Sequence, residues 1–521
     1  MSKDPSSPAH SRLWIRGGRV YVPGADPHQP PVVDVVVDGS TIVWVGPVGE
    51  AGPAGVVADP GVRTTEIAAA GKLVMPGFVN AHYHSHDLLA KGLFEELPLE
   101  IWGLYSLPDN YSRPTIADVR ARTLLGALEC LRSGITTVQD MLSLFPAEDA
   151  YLDTVLDAYD EIGLRVVLSL QVSDVSAKDS IPHWRDTVPP EVMSTIDRPP
   201  RSTSSLLDLV ENPLKVRETT RSRLSWALGP SGPQRCTREL LEGLADLGER
   251  YRLPVVTHLY ETKPQAVQAR MRYGDHGGSL VRYLEDTGLL GPRLTVAHAI
   301  WMSRDEMELL GASGAGAVLN PVSNMKLKSG IPAAAELRAA GVRLALGCDN
   351  CSCSDVQSMI QAMKTHCLLQ AVSDPEPKPG HSPAVEAIRM ATEGGGCALG
   401  LDDQVGRIEP GMKADLVILD LDDPAFLPFN SAARQLVYSE VGRSIETVII
   451  DGRIVMHERR VQTIDEEALR REINELGARF RTEFAGVSER NADALSYLTE
   501  AHRRSWQTDV GMNRYALFLD K

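Results

Sequence analysis

From Leu13 to about Thr65 short apolar runs alternate with turn residues, as in Leu13-Trp-Ile-Arg-Gly-Gly-Arg-Val-Tyr-Val22. Asp38-Gly39 stands between two β-rich runs and predicts a hairpin, so a small β-unit opens the chain. From Lys72 to about Gly400 the texture changes to short apolar strands, each followed by a stretch long enough for a helix. Strand candidates lie at 73–79, 135–139, 165–171, 224–228, 255–258, 294–298, 317–319 and 344–347. Stretches such as 117–132, 238–251 and 303–311 carry the apolar spacing of an outer helical ring. Eight strands separated by helices are what a closed parallel (β/α)8 barrel needs, and no repeat of 20 to 50 residues suggests a solenoid instead.

After Gly406 the β texture returns, and Asp451-Gly452 forms a second hairpin signal that mirrors the first. The expected organisation is α/β: residues 71–404 as a TIM barrel, and 12–70 with 405–463 as a small β-sandwich built from both chain ends. Residues 1–11 read as a disordered tail, and 464–521 as a C-terminal helical extension able to pack on its own barrel or in a homo-oligomer. One connection is unusually long. Residues 173–222 follow the third strand, and an insert of that size, with room for one or two helices, is expected to act either as a lid or binding element facing the substrate or as a peripheral or oligomer contact.

Composition narrows the function classes. The 521 residues carry 53 basic and 69 acidic side chains, a net charge of −16, which argues against nucleic acid and against an anionic membrane surface as partners. Seven cysteines without a paired framework fit a reducing cytoplasm, and neither a signal sequence nor a long apolar span is evident.

A barrel presents its chemistry at the C-terminal ends of its strands. The first strand leads into His82 and His84, which alternate onto one face and can reach one ion. The fifth ends at His258 with Glu261 three residues on, the sixth at His298, and the eighth at Gly347-Cys348-Asp349. Three imidazoles and a carboxylate suit one divalent metal, Zn²⁺ best, with Fe²⁺ or Mn²⁺ as options. A fourth imidazole and a second carboxylate remain for proton transfer. Cys348, Cys351 and Cys353 lack a partner pair elsewhere and read as small buried residues rather than a thiolate site.

Pro76-Gly-Phe-Val-Asn-Ala-His-Tyr-His84, Thr257-His-Leu-Tyr-Glu261, Ala297-His298, Pro321-Val-Ser-Asn-Met-Lys-Leu-Lys-Ser-Gly330, Gly347-Cys-Asp349 and the segment from Gly406 to Leu416 resemble the amidohydrolase superfamily. They are most similar to its branch of cytosine and guanine deaminases and triazine hydrolases. The resemblance spans roughly residues 12–462 and implies a distorted (β/α)8 barrel flanked by the composite β-sandwich. It also implies that His82, His84, His258 and Asp349 hold a single metal, that Glu261 shuttles protons and that His298 orients water or polarises substrate, with Asp349 also accepting a proton. The fourth strand end, Trp226 to Cys236, offers no lysine for a carbamylated bridge, which favours one metal over two.

The implied reaction is hydrolytic displacement at a trigonal carbon. Ser231 stands where many deaminases of the branch have a histidine. That departure shifts the expectation toward a C–N bond of an amide, urea, amidine or carbamate in a small molecule or modified peptide. Deamination of a nucleobase-like or triazine-like ring, C–Cl or C–S hydrolysis, and an inactive structural homologue are the alternatives. Expected substrate contacts are His86, Trp102, Ser231, Gln234, Asn320 and Asn324, with Phe94, Glu95, Leu97, Pro98, Leu99 and Trp102 of the first loop as a wall or as ordinary loop packing.

Overall fold

The computed structural model describes residues 11–50, 62–197, 199–216, 221–374, 376 and 378–515. The expected tail therefore lies outside the described residues except for Ser11, which begins the first strand, Ser11–Val20.

Both chain ends join one nine-stranded mixed sheet. The N-terminal part contributes Ser11–Val20, Val32–Asp38, Thr41–Gly46 and Arg63–Ala68, and the C-terminal part Leu416–Asp420, Ile445–Ile450, Arg453–His457 and Arg460–Val461. Both predicted hairpins form. The first turns through Gly39 with φ 58°, and the second through Asp451 and Gly452 with φ 52° and 73°, the left-handed conformations that tight hairpin turns demand. The two turns abut: a Cβ on Gly452 would collide with the Gly39 carbonyl. Glycine is needed there for close approach as well as for φ.

The strand expected at 73–79 divides at Gly77. Lys72–Pro76 pairs antiparallel with Leu416–Asp420 in the mixed sheet, while Phe78–His84 starts the parallel system. Only glycine fits at the break, because a Cβ at Gly77 would run into the Thr136 side chain. One apolar run therefore serves two layers.

Phe78–His84, Ile135–Leu142, Arg165–Val172 and the short Leu224–Trp226 and Gly229–Pro230 pair in parallel. Val255–Leu259, Leu294–His298, Gly316–Leu319 and Arg343–Leu346 form a second parallel sheet. A parallel bridge joins Leu228 to Val255, and Asp349 pairs with Tyr83. Val79, Ala81, Met141, Val167, Ala227, Val256, Val318 and Ala345, in or within two residues of seven of the predicted strand segments, form one buried apolar cluster that Leu399, Leu401 and Val405 extend. This is a mixed α/β fold compatible with a TIM barrel.

A buried ion pair joins the two systems. Arg165 donates from Nε and Nη2 to the two carboxylate oxygens of Asp415 at 2.7 and 3.0 Å, and Nη2 also reaches Asp451 at 3.3 Å. Both Arg165 and Asp415 side chains are almost inaccessible. Arg165→Met would leave Asp415 buried without its counter-charge, so we expect a loss of about 3–5 kcal/mol, read as a lower thermal unfolding midpoint.

The insert is helical rather than structureless, with Trp184–Thr187, Pro190–Ile196 and Thr203–Val216. Its Trp184, Ile181 and Val188 pack with Ile101 and Trp102 and with Val487 and Leu498 of the 42-residue helix Glu466–Gln507. Asp465 starts that helix by accepting the Glu467 and Ala468 amides, each at 3.0 Å. The helix packs on its own chain. All seven cysteines are free, and among the described residues no helix is long and apolar enough to cross a membrane.

Candidate metal centre

Strand alternation brings His82 and His84 to one face, as their spacing predicts. His258 is the penultimate residue of Val255–Leu259, and His298 ends Leu294–His298. His298, Ala299 and Asp349 all take positive φ, at 75°, 50° and 67°. Such backbone costs about 1–3 kcal/mol per residue and persists where surrounding structure over-determines it. Here it turns the imidazole of His298 and the carboxylate of Asp349 toward the other three rings.

The ring nitrogens converge. Nε2 of His84 lies 3.3 Å from Nε2 of His258, and Oδ1 of Asp349 lies 3.4 Å from His82 Nε2 and 3.5 Å from His84 Nε2. Ligands held ~2.0–2.1 Å from a tetrahedral ion sit roughly 3.3–3.5 Å from one another, so this spacing fits a shared divalent cation. Nε2 of His82 is buried without a hydrogen-bond partner. His84 Nδ1 donates to the Met141 carbonyl at 2.7 Å and His258 Nδ1 to the Ser231 carbonyl at 2.5 Å. Those bonds leave the Nε2 lone pairs aimed inward, the usual outer support of a ligating histidine.

Charge state agrees with ligation. Burial lowers the pKa of His82 to about 4 and those of His84 and His258 to about 3, so all three are neutral donors. Burial by itself would raise the Asp349 carboxyl, but the approach of His82, His298 and His84 holds it well below the usual carboxylate range. Glu261 goes the other way. Burial pushes its carboxyl upward, partly offset by His298 and reinforced by Asp349 and Glu100. Its Oε2 is 3.7 Å from His298 Nε2, which is itself 3.9 Å from Asp349 Oδ2.

Of the expected substrate contacts, His86, Trp102, Ser231 and Gln234 border the cavity over this cluster. His86 Nδ1 and Gln234 Oε1 are buried without partners, Trp102 donates to Ser352 at 3.0 Å, and the Ser231 hydroxyl receives Gln171 Nε2 at 3.0 Å. Asn320 and Asn324 are placed elsewhere. Both are fully buried behind His298, whose Nδ1 is 2.8 Å from Asn324 Oδ1 and 3.4 Å from Asn320 Nδ2, so they brace the ring. Of the expected wall, Leu99 and Trp102 face the cavity, while Phe94 packs against Tyr105 and Phe484. Cys348, Cys351 and Cys353 contact Met359, Glu129 and the Asn350 carbonyl respectively, and burial raises all three thiols.

Sequence reasoning missed Glu100. It lies in the cavity wall and accepts from Thr262 Oγ1 at 2.5 Å, with His502 Nδ1 at 3.1 Å from its other oxygen. A lone acid in the apolar stretch Leu97-Pro-Leu-Glu-Ile-Trp102 was its only local signal. Lys178, Gln171, Arg235 and Gln265 also border the cavity, and Gln265 Oε1 receives the Glu261 amide at 2.8 Å.

Comparison with known proteins agrees with this arrangement. The chain is 33% identical, over 78% of its length and 87% of the relative's, to a 5′-deoxyadenosine deaminase of Methanothermobacter thermautotrophicus. It is 32% identical, over 88% of its length and 97% of the relative's, to a 5-methylthioadenosine/S-adenosylhomocysteine deaminase of Desulforudis audaxviator. Among solved structures, an adenosine deaminase from Xanthomonas campestris with bound zinc superposes with a TM-score of 0.74 at 26% identity, covering 91% of this chain and 100% of that one. A zinc complex of atrazine chlorohydrolase from Arthrobacter aurescens TC1 has a TM-score of 0.77 at 21% identity, over 89% and 100% of the two chains, and speaks to the fold alone. The amidohydrolase family model matches residues 73–455, most of the chain and every residue of the buried cluster, and the chain belongs to that family.

Proposed function

We propose that this chain is a metal-dependent aminohydrolase that replaces the amino group of an adenine-like ring, carried on a nucleoside, with oxygen and releases ammonia. Similarity over most of its length to deaminases of 5′-deoxyadenosine and of 5-methylthioadenosine/S-adenosylhomocysteine carries this reading. It displaces the amide or modified-peptide hydrolysis that Ser231 suggested. The Ser231 carbonyl orients His258 and its hydroxyl remains a polar group on the cavity, so losing an imidazole there still leaves a hydrogen-bonding wall. The chain is in either case a metal-dependent hydrolase of carbon–nitrogen bonds.

His82, His84, His258 and Asp349 would hold one divalent ion, zinc by its presence in the adenosine deaminase structure. Such an ion, when bound, supplies a water acidified from a pKa of roughly 15.7 toward ~7. The remaining steps belong to side chains. Asp349, held ionised, would accept a proton at its carboxylate. Glu261, with its raised carboxyl, can carry a proton near neutrality and deliver it to a ring nitrogen or to the departing amine. His298, braced by Asn324 and facing both carboxylates, orients the attacking water and stabilises charge gained at the trigonal carbon. The frame we propose for these groups is a closed, distorted eight-strand barrel over residues 71–404, with 12–70 and 405–463 as the composite β-unit and 464–521 as an extension.

The test is ammonia release from zinc-loaded protein presented with adenosine, 5′-deoxyadenosine, 5-methylthioadenosine and S-adenosylhomocysteine. We expect stoichiometric ammonia and an inosine-type product from at least one, lost on chelation and restored by zinc. No ammonia from any of them, together with a new carboxylate from an amide panel, would overturn the reading.

A further inference from the structure

The cavity over the metal centre does not end there. It holds about 160 Å³, less than the ~300–1,000 Å³ that drug-sized ligand pockets occupy. A second space of about 590 Å³ on the same measure adjoins it, and Ser143, Gln171, Lys178 and Arg235 border both.

The chamber is walled by the two parts of the chain for which the chemistry has no other use. The insert contributes Arg201, Leu206 and Leu209, and the long C-terminal helix contributes Arg490. Its charge is one-sided: among the described residues Lys178, Arg201, Arg235 and Arg490 line it, against the carboxylate of Asp109. This concentration of cations stands out in a chain whose net charge is −16.

Arg235 occupies the junction. Its Nε and Nη2 donate to the Val175 carbonyl and the Ser173 hydroxyl, each at 3.1 Å, which fixes the guanidinium in the shared wall. Among the described residues it is within ion-pair distance of no carboxylate, and burial lowers its pKa. A cation held in that environment is matched by an anion that arrives with the ligand, because charge-assisted hydrogen bonds to phosphate or carboxylate strengthen as water is excluded.

We propose that this chamber is a specificity subsite for an anionic substituent, phosphate or carboxylate, attached to the substrate whose ring lies over the metal centre. The proposal rests on the adenosine-class reading for the ring and adds the tail. The insert and the C-terminal helix then have a common purpose, which is to extend the active site toward a larger acidic molecule.

Calorimetric binding to the zinc-loaded full-length protein tests it without requiring turnover. Adenosine, adenosine 5′-monophosphate, an adenosine bearing a 5′-carboxyalkyl thioether, and inorganic phosphate alone are the probes. We expect at least one anionic derivative to bind about tenfold or more tightly than adenosine, with the advantage shrinking as salt is raised. Arg235→Gln should remove most of that ratio. Arg490→Gln, on an exposed helix face where folding is not at stake, should reduce it by a smaller factor. Equal affinities for neutral and anionic adenosines, or a ratio that neither variant alters, would overturn the subsite. Tight binding of inorganic phosphate with no advantage for the attached anions would also overturn it, in favour of a separate anion site. Failure of every adenosine to release ammonia, while this ratio holds, counts against the deaminase reading alone.

Discussion

Asp349→Asn is expected to lower kcat/KM for the best adenosine-class substrate by at least about 10³-fold while the chain stays folded. The carboxylate is buried and ionised, its Oδ1 lies 3.4 and 3.5 Å from two ring nitrogens, and its Oδ2 faces His298 at 3.9 Å. Asparagine keeps the shape and removes both the negative charge and the proton acceptor. The peptide of Asp349 keeps its pairing to Tyr83, and the Gln357 side chain still donates to its carbonyl at 3.0 Å, so the local backbone does not depend on the carboxylate. Kinetics with metal analysis and thermal unfolding check this. A near-normal rate in the folded variant would remove Asp349 from the mechanism.

Glu261→Gln should cost about 10²–10⁴-fold in kcat and leave metal content unchanged. Glu261 approaches His298 rather than the His82, His84 and His258 rings, and its amide is held by Gln265, which a glutamine at 261 does not disturb. A folded variant that has lost its metal would make Glu261 a ligand instead. Full activity would mean that the proton moves through another group, with Glu100 the nearest candidate in the cavity wall.

The chemistry was more legible than the walls around it. His82 and His84 are two residues apart on a strand, and local alternation is enough to place both on one face. Each of the eight predicted segments contains or adjoins an observed parallel strand, because a short apolar run bounded by turn residues carries its own signal. The division at Gly77 is not local. It arises because Lys72–Pro76 finds Leu416–Asp420, more than 300 residues away, while Phe78–His84 finds Ile135–Leu142. Glu100 escaped for the same reason: what makes it part of the site is contact with Thr262 and His502. The sequence suggests Asn320 and Asn324 as substrate contacts, whereas their place behind His298 depends on how the seventh strand's loop folds under the sixth.

By itself the sequence determined the short apolar strand segments and the two hairpins, which follow from short-range periodicity and turn chemistry, while its resemblance to the amidohydrolases supplied the hydrolytic class and the candidate ligands. Only the tertiary structure decided that the ring nitrogens lie 3.3 to 3.5 Å from their neighbours in the cluster, and that the insert and the 42-residue helix wall a cationic chamber beside it. Those outcomes depend on packing between residues far apart in the chain, such as Trp184 with Leu498, and on strained turns at His298 and Asp349 that no periodicity announces.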